Sequence, residues 1–394
     1  MKYYINFLRD KPIIRSLSLV NFIASFGAWF STVAIYTMVV EFGSSEFAIA
    51  IVTAMHFIPA ILIAPFSGSL IDRLRIKPLM VTLLFIELSM TACFLLIETA
   101  SDLWLLLIFI FIRMSAASMF FSSEMSLLAK IATGKDLQTA NEIQSIIWSF
   151  TYAVGMAVSG FIVNLYGVKA AILIDVAIFV LAFFVFLNIK INIEYKKVEE
   201  KILELMIDGL RYIKNNKIIL HLIFLHASVG LTSYDALITI LAKNEYKEII
   251  AVPLAIGLSN AVRAVALMIG PLFLNKIIKK DNLQYLLIFQ GITIIIWAFA
   301  QSNFYLSLGA LFFVGFSTAF LWSYTYALLQ NHCDKRYIGR VISYNDMFFM
   351  LANVLTTLFI GTMAHITTTS IITICLGVAF LFYAYYYTKI YSKI

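Results

Sequence analysis

The stretch Gly68-Ser-Leu-Ile-Asp72-Arg73-Leu-Arg75-Ile-Lys77 decides the fold. It packs one acid and three cations into ten residues, yet it sits between apolar runs at about 46–71 and 78–98. At roughly 1.5 Å per helical residue, each run can cross a hydrocarbon layer of about 30 Å. The charges therefore mark a turn at a membrane face. A second such turn, Gly270-Pro-Leu-Phe-Leu-Asn275-Lys276-Ile-Ile-Lys279-Lys280, follows the eighth run. Asp72 aligns with Asn275 at an offset of about 200 residues, with the glycines one residue out of step. Repetition of a charged turn halfway along the chain implies two parallel six-helix halves around a central cavity, a transporter architecture.

Composition agrees. Of 394 residues, 62% are apolar and 13% charged, against about half and a quarter in a soluble domain. Apolar runs fall at about 13–40, 46–71, 78–98, 103–131, 140–166, 168–189, 218–242, 249–275, 283–300, 304–331, 339–365 and 368–388. They are continuous rather than alternating, which excludes an outer-membrane barrel. Cys93, Cys333 and Cys375 give neither a disulfide framework nor a zinc site, and no metal or cofactor is expected. The net charge of +7 is distributed by topology rather than as a nucleic-acid patch. With both termini placed inside, 24 of the 29 Lys and Arg fall on the cytoplasmic side. Lys169, Lys243 and Lys247 fall outside, and Arg113 and Arg263 lie within the membrane. The expected fold is an all-α membrane protein of twelve spans in two pseudo-symmetric bundles, 1–189 and 218–394. The loop between them, 190–217, carries Val198, Ile202, Met206, Leu210 and Ile213 at helical spacing. It reads as an amphipathic helix, either on the membrane surface or packed on the bundle.

The turn after the second span resembles the loop motif of the major facilitator superfamily, Gly-x-x-x-Asp-Arg-x-Gly-Arg-Lys/Arg. Gly68, Asp72, Arg73 and Lys77 match, while Arg75 and Ile76 replace its second Gly and the following Arg. The resemblance covers nearly the whole chain and implies the twelve-span fold of that superfamily. It also implies a gating latch, in which the Asp accepts hydrogen bonds from a neighbouring helix N-terminus. Ser25-Phe-Gly27-Ala28-Trp29, Leu137-Gln-Thr-Ala140-Asn141, Asp208-Gly209-Leu210-Arg211-Tyr212-Ile213 and Tyr337-Ile-Gly339-Arg340-Val341 are similar to segments of its bacterial drug and siderophore exporters, which include macrolide-efflux and enterobactin-export proteins. Arg113-Met-Ser-Ala-Ala117 is similar to a fourth-span motif tied to proton coupling, with Ala for its Gly. Gly155-Met156-Ala-Val-Ser159-Gly160 is similar to the fifth-span antiporter motif, with Met156 for Pro and Ser159 for Gly. The resemblance implies a multi-pass protein of the bacterial inner membrane and, with it, proton-coupled efflux, as in multidrug resistance. A monomer is expected.

Ionisable groups inside the membrane cost at least a few kcal/mol and need a partner, a cavity or a path to the interface. Arg113 and Arg263 lie near mid-membrane and stay charged. Asp235 and Asp346 lie on spans that line or flank the cavity in the superfamily, which favours them over Glu87 and Asp175 as titrating partners. Glu41 and Glu124 sit near opposite rims, where snorkelling is cheap. His56 is mid-depth, a packing residue or a proton relay. Trp322 and Tyr326, four apart on the tenth span, line an aromatic pocket or merely pack. No soluble catalytic domain, metal-ligand spacing or nucleotide loop is present, so an enzyme is not expected and ATP does not drive the protein directly. The expected function is alternating-access export of an amphipathic small molecule with protons as coupling ion. A lysophospholipid flippase of the same superfamily and a non-transporting receptor are the alternatives.

Overall fold

The computed structural model describes residues 2–63, 71, 74–191, 202–275, 277–334 and 336–391. Among these, every regular element is helical. Gly68, Asp72 and Arg73 of the loop motif lie outside the described residues, as does Lys276. Eleven described helices are long and apolar enough to cross a membrane. One of them, Gly134–Leu187, has 54 residues, about 81 Å at 1.5 Å per residue and more than twice the hydrocarbon thickness. Gly167 interrupts it with φ 81° and ψ 172°, a conformation that only a residue without Cβ adopts cheaply. The division at Gly167 makes these the fifth and sixth spans of twelve. The fifth begins at Gly134 rather than near 140, because Lys135 and Asp136 prolong the helix into the polar region. An even count puts both chain ends on one face, hereafter the terminal face; the other is the far face.

The packing repeats between the halves. The third span (Ile76–Leu96) lies on the fourth (Ala100–Ile131) and the sixth. The ninth (Lys280–Ala300) lies likewise on the tenth (Phe304–His332) and the twelfth (Thr369–Ile390). Across the middle, the second (Glu46–Ile63) meets the eleventh (Ile338–Met363) and the fifth meets the eighth (Val252–Leu274), each contact being the mate of the other under the repeat. Buried apolar side chains form two clusters. One joins both halves near the far face, through Val33, Tyr36, Ile49, Met156, Leu237 and Ile256. The other, including Leu17, Leu84, Phe120, Leu127, Phe179 and Phe186, belongs only to the first six spans on the terminal side. The halves thus share a core toward the far face and part toward the terminal face.

The seventh span, Lys217–Tyr246, is discontinuous, unlike its apolar sequence profile. Helix Lys217–Ala227 passes into a 3-10 turn at Ser228–Thr232, resumes at Asp235–Leu241 and ends in a π turn. Gly230 lies in the break, where a Cβ would come within 3.0 Å of the Asn353 nitrogen and the Phe349 carbonyl on the eleventh span. Helix Ile202–Asn215 occupies the central loop. It packs on the bundle: Arg340 reaches Asp208 at 2.6 Å, the Tyr344 hydroxyl donates to the Met206 carbonyl at 3.0 Å, and Tyr212 stacks on Tyr337 at 4.2 Å.

Candidate functional site

The break in the seventh span places Asp235 at the start of its second helical segment. There it stands 3.7 Å from Arg263 of the eighth span, with both side chains less than one-fifth exposed. The Arg263 guanidinium also lies over the rings of Tyr152 and Tyr234, each at 5.8 Å. Cation–π contact of this kind stabilises a desolvated arginine. Its Nη1 has no hydrogen-bond partner among the described residues. Tyr36 of the first span and His56 of the second come within electrostatic reach of Asp235, with their rings 5.8 Å apart. The His56 Nδ1 faces the Val52 carbonyl at 3.0 Å. Asp235, Arg263, Tyr36, His56 and Tyr152 thus converge from five spans and both halves.

Arg113 is arranged differently. It contacts Asp175 of the sixth span at 3.1 Å, between the rings of Phe94 at 5.5 Å and Phe179 at 5.3 Å. Ser31 donates to the same Asp175 oxygen, while the other oxygen is unpartnered. From the sequence Asp235 and Asp346 are favoured over Asp175 as partners of the two arginines, with the individual pairing left open. The structure makes Asp175 the counter-ion of Arg113, because both face inward within the first half. Gly27 permits this, since a Cβ there would sit 2.5 Å from Asp175 Oδ1. Asp346 has no cation within ion-pair distance among the described residues. It takes an Asn345 amide at 3.4 Å and lies beside the Tyr326 hydroxyl. Tyr326 stacks on Trp322 at 4.9 Å, and Trp322 is 40% exposed. His226, near the end of helix Lys217–Ala227, is buried edge-on against both rings and bonded to Thr325 at 2.8 Å. Its neighbours on other spans, not its own run, define that position.

The fifth-span remnant works through size. A Cβ on Gly155 would meet Trp29 at 2.9 Å, and one on Gly160 would meet the Pro253 carbonyl at 2.8 Å. Ser159 donates to the Phe30 carbonyl at 3.1 Å. These small residues let the first and eighth spans close on the fifth. Lys77 donates to the Leu187 carbonyl at 3.1 Å.

At the far face the halves are clasped. Lys243 donates to the Ser44 carbonyl at 2.7 Å and to Glu46 at 3.0 Å, and His365 faces the other Glu46 oxygen at 3.5 Å. Gly361 lets the eleventh span approach Glu46 and Ala50 of the second. Deeper, the Tyr152 hydroxyl donates to Asn260 at 3.1 Å. The Lys243–Ser44, Lys243–Glu46, Asn244–Glu46, His365–Glu46 and Tyr152–Asn260 contacts, which join the first six spans to the last six, all lie at mid-depth or beyond, toward the far face. A discontinuous span, ionisable groups at mid-depth and halves closed at one face define a membrane transporter of the two-bundle class.

A profile described as Major Facilitator Superfamily matches residues 17–357, and the chain belongs to that family. The fold is similar to the crystal structure of the nucleoside transporter NupG, with TM-score 0.76 and 13% identity over 96% of this chain and 99% of that one. A D-xylose-proton symporter gives 0.72 at 14% identity, covering 94% and 97%. A bacterial homolog of the human lysosomal transporter Spinster, crystallised inward-facing and unoccupied, gives 0.70 at 12% identity, covering 97% and 96%. No curated relative matches the sequence.

Proposed function

We propose that this transporter exports an amphipathic or hydrophobic small molecule by alternating access, driven by inward proton movement. The two halves, 1–189 and 218–394, rock about the central site, with 190–217 as tether. The positive-inside count supports a cytoplasmic terminal face in the bacterial inner membrane, and so a far face that is external. The observation that carries the reading is the Asp235–Arg263 pair at the junction of the halves. A proton taken up by Asp235 from the far side removes the negative charge facing Arg263 and frees the guanidinium for other acceptors. Its release toward the terminal face restores the pair. That exchange changes which contacts hold the halves together, as coupling requires. The half-exposed Trp322, with Tyr326 and Asp346 beside it, offers an aromatic wall with one acid to an amphipathic substrate. Export rather than uptake, and the drug and siderophore exporter subgroup, rest on the sequence resemblance. In proteoliposomes the protein is expected to carry ethidium in counterflow and labelled lysophospholipid not at all. Lysophospholipid movement without ethidium movement would replace this reading with a lipid flippase.

A further inference from the structure

Glu124 of the fourth span stands seven residues from the helix end, where a side chain would ordinarily snorkel to the interface. It is instead 2% exposed. Gln144 of the fifth span donates to its Oε1 at 2.8 Å, and Asn21 of the first span donates to its Oε2 at 3.2 Å. Asn21 also donates to Gln144, and Ser25 donates to the Asn21 side-chain oxygen Oδ1 at 2.7 Å. The shell around this carboxyl is therefore neutral throughout. No cation comes within ion-pair distance of Glu124 among the described residues. Of the charged groups on the surrounding elements, Lys11 pairs with Asp136 at 2.6 Å at the terminal face, Glu142 takes the Tyr4 hydroxyl, and Arg113, eleven residues along the same helix, holds Asp175; Arg15, Lys130 and Lys135 stand nearer the terminal ends of their helices.

A buried charge without a counter-ion costs several kcal/mol, and a group that can shed it by binding a proton does so. Here two amide N–H groups offset part of that cost, so neither protonation state is strongly excluded. Asn21 and Ser25 are only half-buried, Asn21 at the depth of Glu124 and Ser25 one turn further from the terminal face. Along the first span, Asn21, Ser25, Trp29, Thr32 and Tyr36 recur at helical spacing as one polar stripe. It ends at Tyr36, beside Asp235 and Arg263.

We propose that Glu124 is a proton-binding site of the transport cycle, exchanging its proton with the terminal-face side past Asn21 and communicating with Asp235 along the stripe on the first span, of which Ser25 is the next step. This rests on the proton-coupled reading above. When the O–H of Glu124 gives up its proton to water on that side, the carboxylate draws the Asn21 and Gln144 amides onto its oxygens. The first and fifth spans are thereby tied to the fourth. Reprotonation loosens the tie, so proton occupancy sets how these three spans pack.

Infrared difference spectra of the purified full-length protein, titrated from about pH 5 to about pH 9, read the site without any substrate. A protonated-carboxyl band that titrates in the unmutated protein and is missing in Glu124→Gln is expected. In Asn21→Ala the charged form loses a donor, so the midpoint moves up by about one pH unit, the equivalent of about 1.4 kcal/mol. Glu124→Gln spectra identical to the unmutated ones, or an unmoved midpoint in Asn21→Ala, overturn the assignment. In proteoliposomes Glu124→Gln keeps ethidium counterflow while acceleration by a pH gradient falls at least tenfold; full acceleration overturns the assignment too. A titrating Glu124 in a protein indifferent to pH gradients would instead overturn the coupling reading alone.

Discussion

Glu46→Gln isolates the far-face clasp. The substitution keeps the shape of the side chain and an acceptor oxygen, and removes only the charge that Lys243 meets at 3.0 Å and His365 faces at 3.5 Å. Glu46 and Lys243 are 17% and 21% exposed, which places the pair between a screened surface bridge and a buried one. A hydrogen bond to a charged group contributes about 1.5–3 kcal/mol, and an exposed ion pair about 0–1. Since glutamine retains part of the bond, the closed far face loses about 1–2 kcal/mol. In the far-open state Glu46 and Lys243 are both hydrated, so little is lost there. The ratio of far-open to far-closed molecules then rises roughly 5–30-fold. Spin labels at Ser101 and Ser302, exposed far-face positions in different halves, report it by double electron–electron resonance once Cys93, Cys333 and Cys375 are replaced. Growth of the longer-distance population is expected. Lys243→Gln should shift it at least as far, since the bond to the Ser44 carbonyl is weakened as well, and the double variant should shift it by less than the sum of the two, because they share the Glu46–Lys243 contact. A distance distribution in Glu46→Gln indistinguishable from the unmutated protein would refute the clasp.

Two other outcomes follow from the packing and a third from the loop motif. Gly257→Leu drives a side chain against the Met156 carbonyl and Gly160 Cα, which a Cβ alone would meet at 2.6 and 3.0 Å; the fifth and eighth spans cannot close, and the same labels should report a far-open shift of about 1–3 kcal/mol. Arg113→Leu leaves Asp175 buried without its counter-ion at a cost of about 3–5 kcal/mol, whereas Arg113→Leu with Asp175→Leu recovers most of it, as thermal unfolding in detergent can measure. Asp72→Asn should insert normally and transport slowly, as the loop motif implies; a folded variant at full rate removes the latch.

What could be read from the sequence is what one dimension carries. Twelve runs, the break at Gly167 and the paired turns ending at Lys77 and Lys280 follow from hydropathy and from glycine's backbone freedom. Which way a helix faces does not. Hence which acid faces Arg113 stayed open with Asp175 ranked behind Asp235 and Asp346, and Glu124 was placed at a rim by counting residues to the helix end. Asn21 and Gln144, two carboxamides inside apolar runs at matching depth, were the available signal for its burial. The interruption of the seventh span was faintly visible as Ser228, Gly230, Thr232 and Ser233 in close succession. Without proline, nothing there distinguished a broken helix from a continuous one.

Ethidium-induced proton movement in proteoliposomes, for the unmutated protein and for Asp235→Asn, tests the central claim most directly. Asparagine keeps the size and polarity of the side chain but neither binds a proton nor holds a charge against Arg263. The account predicts proton flux on ethidium addition to the unmutated protein, and its loss in Asp235→Asn while ethidium counterflow continues. Proton flux of undiminished size in folded Asp235→Asn would contradict it.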